Sequence, residues 1–249
     1  MLARETYENG SMVFVIIYLG INFVKAKIEN KPFWKWEDSP FRNPETGGFH
    51  WKSLSGNLIY AVMNIISGFT VVWCFQFAVY GNMSQGILAA LFGLSSIFSA
   101  ILSYYIFGDK LKNYHIIGMI LMLVCIVGLG IGGSTKNQTV LTTDGSENSM
   151  LYAFLAVIFG VISPILFALG GVVVNYCDEH YKFDPFSMSL WMYFFSNIVL
   201  TIMWILTYEY GSHPFIWREY LILVFGGVIT CIGIIFLNTA LTLGLSGPC

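Results

Sequence analysis

The chain has 249 residues, of which 56% are hydrophobic and 10% charged, with a formal net charge of −2 and a mean hydropathy of +0.70. A soluble domain carries about 25% charged residues, so this surface is not composed to face water. With no net positive charge and no basic cluster, nothing is present to track a phosphate backbone, and no nucleic-acid partner is expected.

Residues 1–10 are polar and mixed in charge, so no cleavable signal peptide is expected ahead of the first apolar run. That run, 9–24, is free of charge and predicts a helix over 10–27, with Lys25 and Lys27 reaching back to the interface. The segment 28–55 is the one sizeable non-membrane stretch. Its Phe33, Trp34, Trp36, Phe41, Phe49 and Trp51, set among prolines and charges, read as an interfacial aromatic belt at headgroup depth or, alternatively, as a gate or partner site.

Between Lys52 and Asp109 there is no charged side chain at all. A charge at the centre of a membrane helix costs about 2.5–3.5 kcal/mol and a span needs about 20 mostly apolar residues. The tract therefore holds two spans, 56–80 and 85–107, divided at Gly81-Asn82, where the chain can turn. Gly108-Asp109-Lys110 closes the second. Further uncharged stretches predict helices over 114–133, 150–175, 186–208 and 219–243, with Asp184-Pro185 marking another break. The fold class is thus an all-α, multi-pass membrane bundle with seven predicted transmembrane helices, because backbone polar groups cannot stay unpaired in lipid.

Alternating these spans places 25–55, 108–113 and 176–185 on one side, with Lys25, Lys27, Lys31, Lys35, Arg42, Lys52, Lys110, Lys112 and Lys182. The other side receives only Arg4, Lys136 and Arg218. The basic-rich side is expected to face the cytoplasm. Asn137-Gln138-Thr139, a glycosylation sequon, falls in the outer loop 134–149, which makes Asn137 a glycosylation candidate.

No Asp, Glu, Lys, Arg or His lies near the middle of any span, and His50, His115, His180 and His213 are scattered singly at span ends or in loops. Proton pumps and voltage sensors need ionisable groups within the membrane, and zinc enzymes need clustered ligands. No catalytic residue, no metal ligand, no cofactor and no enzymatic activity are expected. Cys74, Cys125, Cys177, Cys231 and Cys249 stand far apart without a CxxC pair and read as small hydrophobes.

What the spans do contain is neutral polarity: Asn64, Trp73, Gln76, Tyr80, Ser95, Ser96, Ser99, Ser103, Ser163, Asn175, Ser196, Asn197, Asn238 and Thr242. Gly86, Ala90, Gly93, Ser96, Ala100 and Ser103 recur at steps of four and three, which puts small residues along one helix face. Such a stripe serves close helix packing, or lines a cavity with hydroxyls. Glycines elsewhere in the spans, with Ser163-Pro164 in mid-helix, suit bundles that bend.

Gly86-Ile87-Leu88-Ala89-Ala90-Leu91, Ser95-Ser96-Ile97-Phe98-Ser99-Ala100-Ile101-Leu102, Gly108-Asp109-Lys110-Leu111 and Ile117-Gly118 together resemble the EamA-like drug/metabolite transporters. Phe183-Asp184-Pro185-Phe186 is similar to a connector in that family's second repeat, and Asn238-Thr239-Ala240-Leu241 to the end of that repeat's third helix. Ser96 stands where the family usually has proline, and Asp109 where it has glutamate. The resemblance implies a ten-helix architecture of two inverted five-helix repeats (5+5), of which the predicted spans would be the second to the eighth. On that plan 1–133 is the first repeat, 134–149 an outer loop and 150–249 an incomplete second repeat. It also implies alternating access around a central cavity that binds a small organic solute through Trp73, Gln76, Tyr80, Ser95, Ser96, Ser99, Ser163 and Asn238. The expected surroundings are a lipid bilayer and a small-molecule solute, and a homodimer is left open. A seven-helix receptor and a non-transporting membrane scaffold subunit stand as alternatives.

Overall fold

The computed structural model describes residues 2–33, 35–36, 39–43, 46–83, 85–108, 113–134, 149–210 and 217–245. They form eight helices: α1 (Leu2–Ile28), α2 (Trp51–Tyr80), α3 (Gln85–Leu91), α4 (Leu94–Phe107), α5 (Asn113–Ser134), α6 (Ser149–Tyr181), α7 (Pro185–Tyr210) and α8 (Trp217–Leu245). Gly10–Ile28, Trp51–Tyr80, Met150–Tyr181 and Pro185–Met203 are long and apolar enough to cross a membrane among the described residues, and Leu94–Phe107, Ile116–Cys125 and Val224–Phe236 are shorter apolar helices. Large apolar side chains such as Ile21, Tyr105, Leu151 and Phe236 are exposed along these helices, as a surface facing lipid requires. Asn137 and the loop 134–149 around it lie outside the described residues, except for the flanking Ser134 and Ser149.

Local chemistry sets most of the ends. α1 and α2 each finish with an asparagine in the left-handed region, Asn30 at φ 51° and Asn82 at φ 53°. In each case the next N–H reaches back to a helix carbonyl, Lys31 to Ala26 at 2.9 Å and Met83 to Ala78 at 2.9 Å. This is the Schellman closure, with asparagine in the place glycine more often takes. Gly108 ends α4 at φ 73°. Asp184 caps α7, its Oδ2 accepting from Ser187 N–H at 2.8 Å, and Pro185 occupies the first helical position, where a missing N–H costs nothing.

Two expectations need correction. The single helix 85–107 is two helices, α3 and α4, parted at Phe92-Gly93. There the bonds tighten to three-residue steps, with Gly93 N–H to Ala90 O at 3.0 Å and Ser95 N–H to Phe92 O at 3.1 Å. Glycine is a poor helix former and holds the four-residue ladder weakly. The helix expected over 150–175 continues to Tyr181, so Asn175 lies inside a helix rather than at its end. Asp178 and Glu179 do not stop it; it stops at Lys182, with φ 53°, and Phe183 N–H returns to Cys177 O at 3.3 Å.

The chain divides into two compact units, the first Met1–Val62 with Val173–Cys249 and the second Met63–Val172. These are divisions by packing, distinct from repeats related by symmetry. In the first unit α1 packs on α8 and α7, and α7 packs on α8. Its core is formed by Val15, Tyr60, Ala61, Val174, Cys177, Met188, Met192 and Ile235, among others. The segment before α2 is not only an interfacial belt. Phe41 is buried in this core, 5.5 Å from the ring of Phe183 and 5.0 Å from that of Trp191, while Trp36, Phe49 and Trp51 stay exposed. An antiparallel bridge between Arg42 and Phe49 folds the segment back on itself. In the second unit α3 and α4 pack on α5, and Cys74, Ala78, Leu88 and Ala156 form the core.

Candidate functional site

In the second unit Trp73, Gln76 and Tyr80 sit at positions three and four apart on α2, which puts them on one helix face. All three side chains are exposed. Gln76 Nε2 donates to Tyr80 Oη at 3.4 Å. Trp73 meets Phe159 of α6 edge-on at 5.7 Å, and Tyr80 lies 5.5 Å from the ring of Tyr152. The result is a polar and aromatic stripe held from behind by α6 rings, with indole, amide and phenol groups left available. Ser95 and Ser99 of α4 are half-buried and Ser96 is exposed. All three follow the Phe92-Gly93 interruption within two turns of helix.

Ser163 behaves differently. It is buried, and its hydroxyl lies 3.4 Å from that of Ser67 on α2. Pro164 beside it removes one helix N–H, so this pair is a packed joint between α2 and α6 rather than an open contact.

Asn238 belongs to the first unit. Its Nδ2 donates to Tyr60 Oη at 2.7 Å and to Ser189 Oγ at 2.8 Å, while Ser189 itself donates to the Pro185 carbonyl at 2.8 Å. Around this centre Asn57 Nδ2 donates to Met188 O at 2.8 Å and Ser196 Oγ to Ala61 O at 3.4 Å. Asn197 Nδ2 donates to Ser11 Oγ at 2.8 Å and to Tyr193 O at 2.7 Å. All of these side chains are buried. The network ties α1, α2, α7 and α8 together through uncharged groups.

Asn238 was the one member of this network that the sequence reading placed in the site. Asn57, Tyr60 and Ser189 were missed. The available signal was chemical: an asparagine such as Asn57 inside an uncharged apolar tract must find a partner or remain costly. Among the described residues no three His, Cys, Asp or Glu side chains come together in a group able to hold a metal.

Residues 9–131 match the model of the EamA-like transporter family. The match begins well ahead of the motifs at 86–118 and takes in most of α1, all of α2, α3 and α4, and most of α5. No curated protein matches the chain.

Proposed function

We propose, from the premise that this is an integral multi-pass membrane protein with EamA-like transporter sequence over residues 9–131, that it moves a small organic metabolite by alternating access. The match to that family supports reading the chain as a membrane transporter of small solutes rather than as an enzyme. The finer reading is a ten-helix, 5+5 inverted-repeat plan in which seven spans of this chain stand for the second to the eighth helices, with 1–133 and 150–249 as the two repeats. The solute would occupy a central cavity near the bilayer midplane, as repeat-built carriers commonly arrange it.

The family match is the observation that carries this reading. Two features of the structure support it. The exposed Trp73–Gln76–Tyr80 stripe offers an aromatic face and hydrogen bonds to a neutral or zwitterionic solute. The tightened turn at Gly93, just before Ser95, Ser96 and Ser99, is a place where a helix can bend as access alternates.

Uptake of a panel of radiolabelled metabolites into vesicles containing the purified chain tests the proposal. One solute should be taken up in a saturable manner, and replacing Ser95 and Ser99 together by alanine should lower its uptake about tenfold, the equivalent of one lost hydrogen bond of about 1.4 kcal/mol. No uptake of any solute by folded protein would favour the scaffold alternative. Unchanged uptake in the double variant would remove the two serines from the site.

A further inference from the structure

Residues 29–50 join two membrane spans, Gly10–Ile28 and Trp51–Tyr80, so both ends of the segment lie at one bilayer surface. Between those ends the chain folds into a hairpin. Gly47, at φ 67°, makes the turn, its N–H donating to Asn43 O at 2.9 Å. Asn43 N–H donates to Gly48 O at 2.8 Å and His50 N–H to Phe41 O at 2.7 Å. Phe41 fixes the hairpin to the core of the first unit.

The outer side of the hairpin is aromatic. Trp36 stacks on Phe49 at 6.2 Å, and Phe49 meets Trp51 edge-on at 4.8 Å. These three rings are 44%, 42% and 72% exposed. Trp36 Nε1 donates to Gly47 O at 3.1 Å, which holds the indole against the turn. Phe33 lies edge-on to Phe23 of α1 at 5.5 Å and ties the start of the segment to that helix. Rings packed on one another yet left exposed, at the mouth of two spans, suit the headgroup region, where an amphipathic ring meets hydrocarbon on one side and water on the other.

The charge around the rings is basic. Lys35 and Lys52 adjoin Trp36 and Trp51 in the chain, and Lys25 and Lys27 lie in the last turn of α1. All four are exposed and make no ion pair among the described residues, whereas Glu29 is already paired with Lys31 at 2.8 Å. Over 25–52 the sequence holds six Lys and Arg against four Asp and Glu, of which Glu37, Asp38 and Glu45 lie outside the described residues. Lysines held at the depth of the phosphates favour a headgroup of net negative charge over a zwitterionic one.

We propose that this hairpin is a docking surface for anionic phospholipids. The Trp36–Phe49–Trp51 rings enter the headgroup layer, and Lys25, Lys27, Lys35 and Lys52 draw negatively charged headgroups to it. This requires the chain to sit in a bilayer and does not require it to carry a solute, so it and the transport proposal fall separately.

Lipid retention by the full-length chain in a neutral detergent tests the charge. Mixed with equal amounts of dioleoylphosphatidylglycerol and dioleoylphosphatidylcholine, the chain should retain the first over the second by about tenfold, falling to about twofold in about 1 M salt. Replacing Lys35 and Lys52 together by glutamine should lower the preference about fivefold. Arg4→Gln, 21 residues before Lys25 on α1 and about 30 Å away along its axis, should leave the preference unchanged. Equal retention of the two lipids by the unaltered chain would overturn the proposal. So would a preference that survives whole in the double variant, or one that Arg4→Gln lowers as much.

Fluorescence tests the rings. In phosphatidylcholine vesicles containing about one-fifth phosphatidylglycerol, the tryptophan emission lost on replacing Trp36 and Trp51 together by phenylalanine is the part these indoles contribute. A nitroxide on the lipid headgroup should quench that part more strongly than aqueous acrylamide does. Stronger quenching by acrylamide places the rings in water and overturns the proposal.

Discussion

The two units of this chain hold their helices together by different chemistry. In the first, buried side chains of α1, α2, α7 and α8 exchange hydrogen bonds over long sequence separations, as in Asn238 to Tyr60 and Asn197 to Ser11. In the second, the joints are made mainly by small residues and rings, Cys74, Ala78 and Ala156 in the core and Phe77 stacked on both Phe159 and Tyr152, with only the longer bonds of Ser67 to Ser163 at 3.4 Å and Cys74 Sγ to Ala156 O at 3.3 Å between α2 and α6. Between helices in lipid the hydrophobic effect offers little, so association depends on close van der Waals packing or on interhelical hydrogen bonds. Both units use both, the first with the shorter hydrogen bonds and the second with more of its joints made by packing.

Close approach exists in both units, and there the sharpest tests lie. Gly10 of α1 lies against the backbone of α8, where an added methyl would collide with the Val224 carbonyl and sit 2.8 Å from Gly227 Cα. Backbone cannot step aside, so Gly10→Ala should destabilise the protein by about 3 kcal/mol, the largest effect, read by denaturant titration in mixed micelles. Gly81→Ala is the counterpart in the second unit, with an added methyl 2.6 Å from Ala153 N and 2.8 Å from its Cα. A loss of about 2 kcal/mol by the same measurement is expected, because Gly81 lies at a helix end where the chain has some room to shift.

The next pair separates the two chemistries. Asn238→Leu removes two bonds of 2.7 and 2.8 Å from a buried network and should cost about 1–2 kcal/mol. Ser163→Ala loses a contact of 3.4 Å and should cost no more than about 0.5 kcal/mol. If the serine proves as costly as the asparagine, the contrast between the units fails. The smallest effect belongs to Gly20, which has nothing within 4 Å of an added methyl. Gly20→Ala should be neutral or raise stability by up to about 1 kcal/mol through helix propensity alone.

The helix ends were largely legible. Gly81-Asn82, Gly108 and Asp184-Pro185 each encode a turn or cap through the conformations those residues favour, and each occurs where expected. The interruption at Phe92-Gly93 was not, because glycine is common within membrane helices and only its neighbours determine whether the ladder tightens there. The end of α6 was missed for a related reason: Asp178 and Glu179 read as the edge of a span, yet charges stop a span in lipid without stopping a helix. Among the proposed binding residues, the spacing of Trp73, Gln76 and Tyr80 was sufficient to place them on one face. Nothing in the spacing of Ser163 revealed that it packs against Ser67.

By itself, the order of residues determined that this chain lives in a bilayer, where its helices run and where most of them end. These properties follow from local quantities, namely the cost of charge in hydrocarbon and the φ preferences of Gly, Asn and Pro, which act within a few neighbouring residues. Which amides meet was decided only in three dimensions. Asn57 finds Met188 131 residues away and Asn238 finds Tyr60 178 residues away, because a hydrogen bond depends on distance in space rather than along the chain.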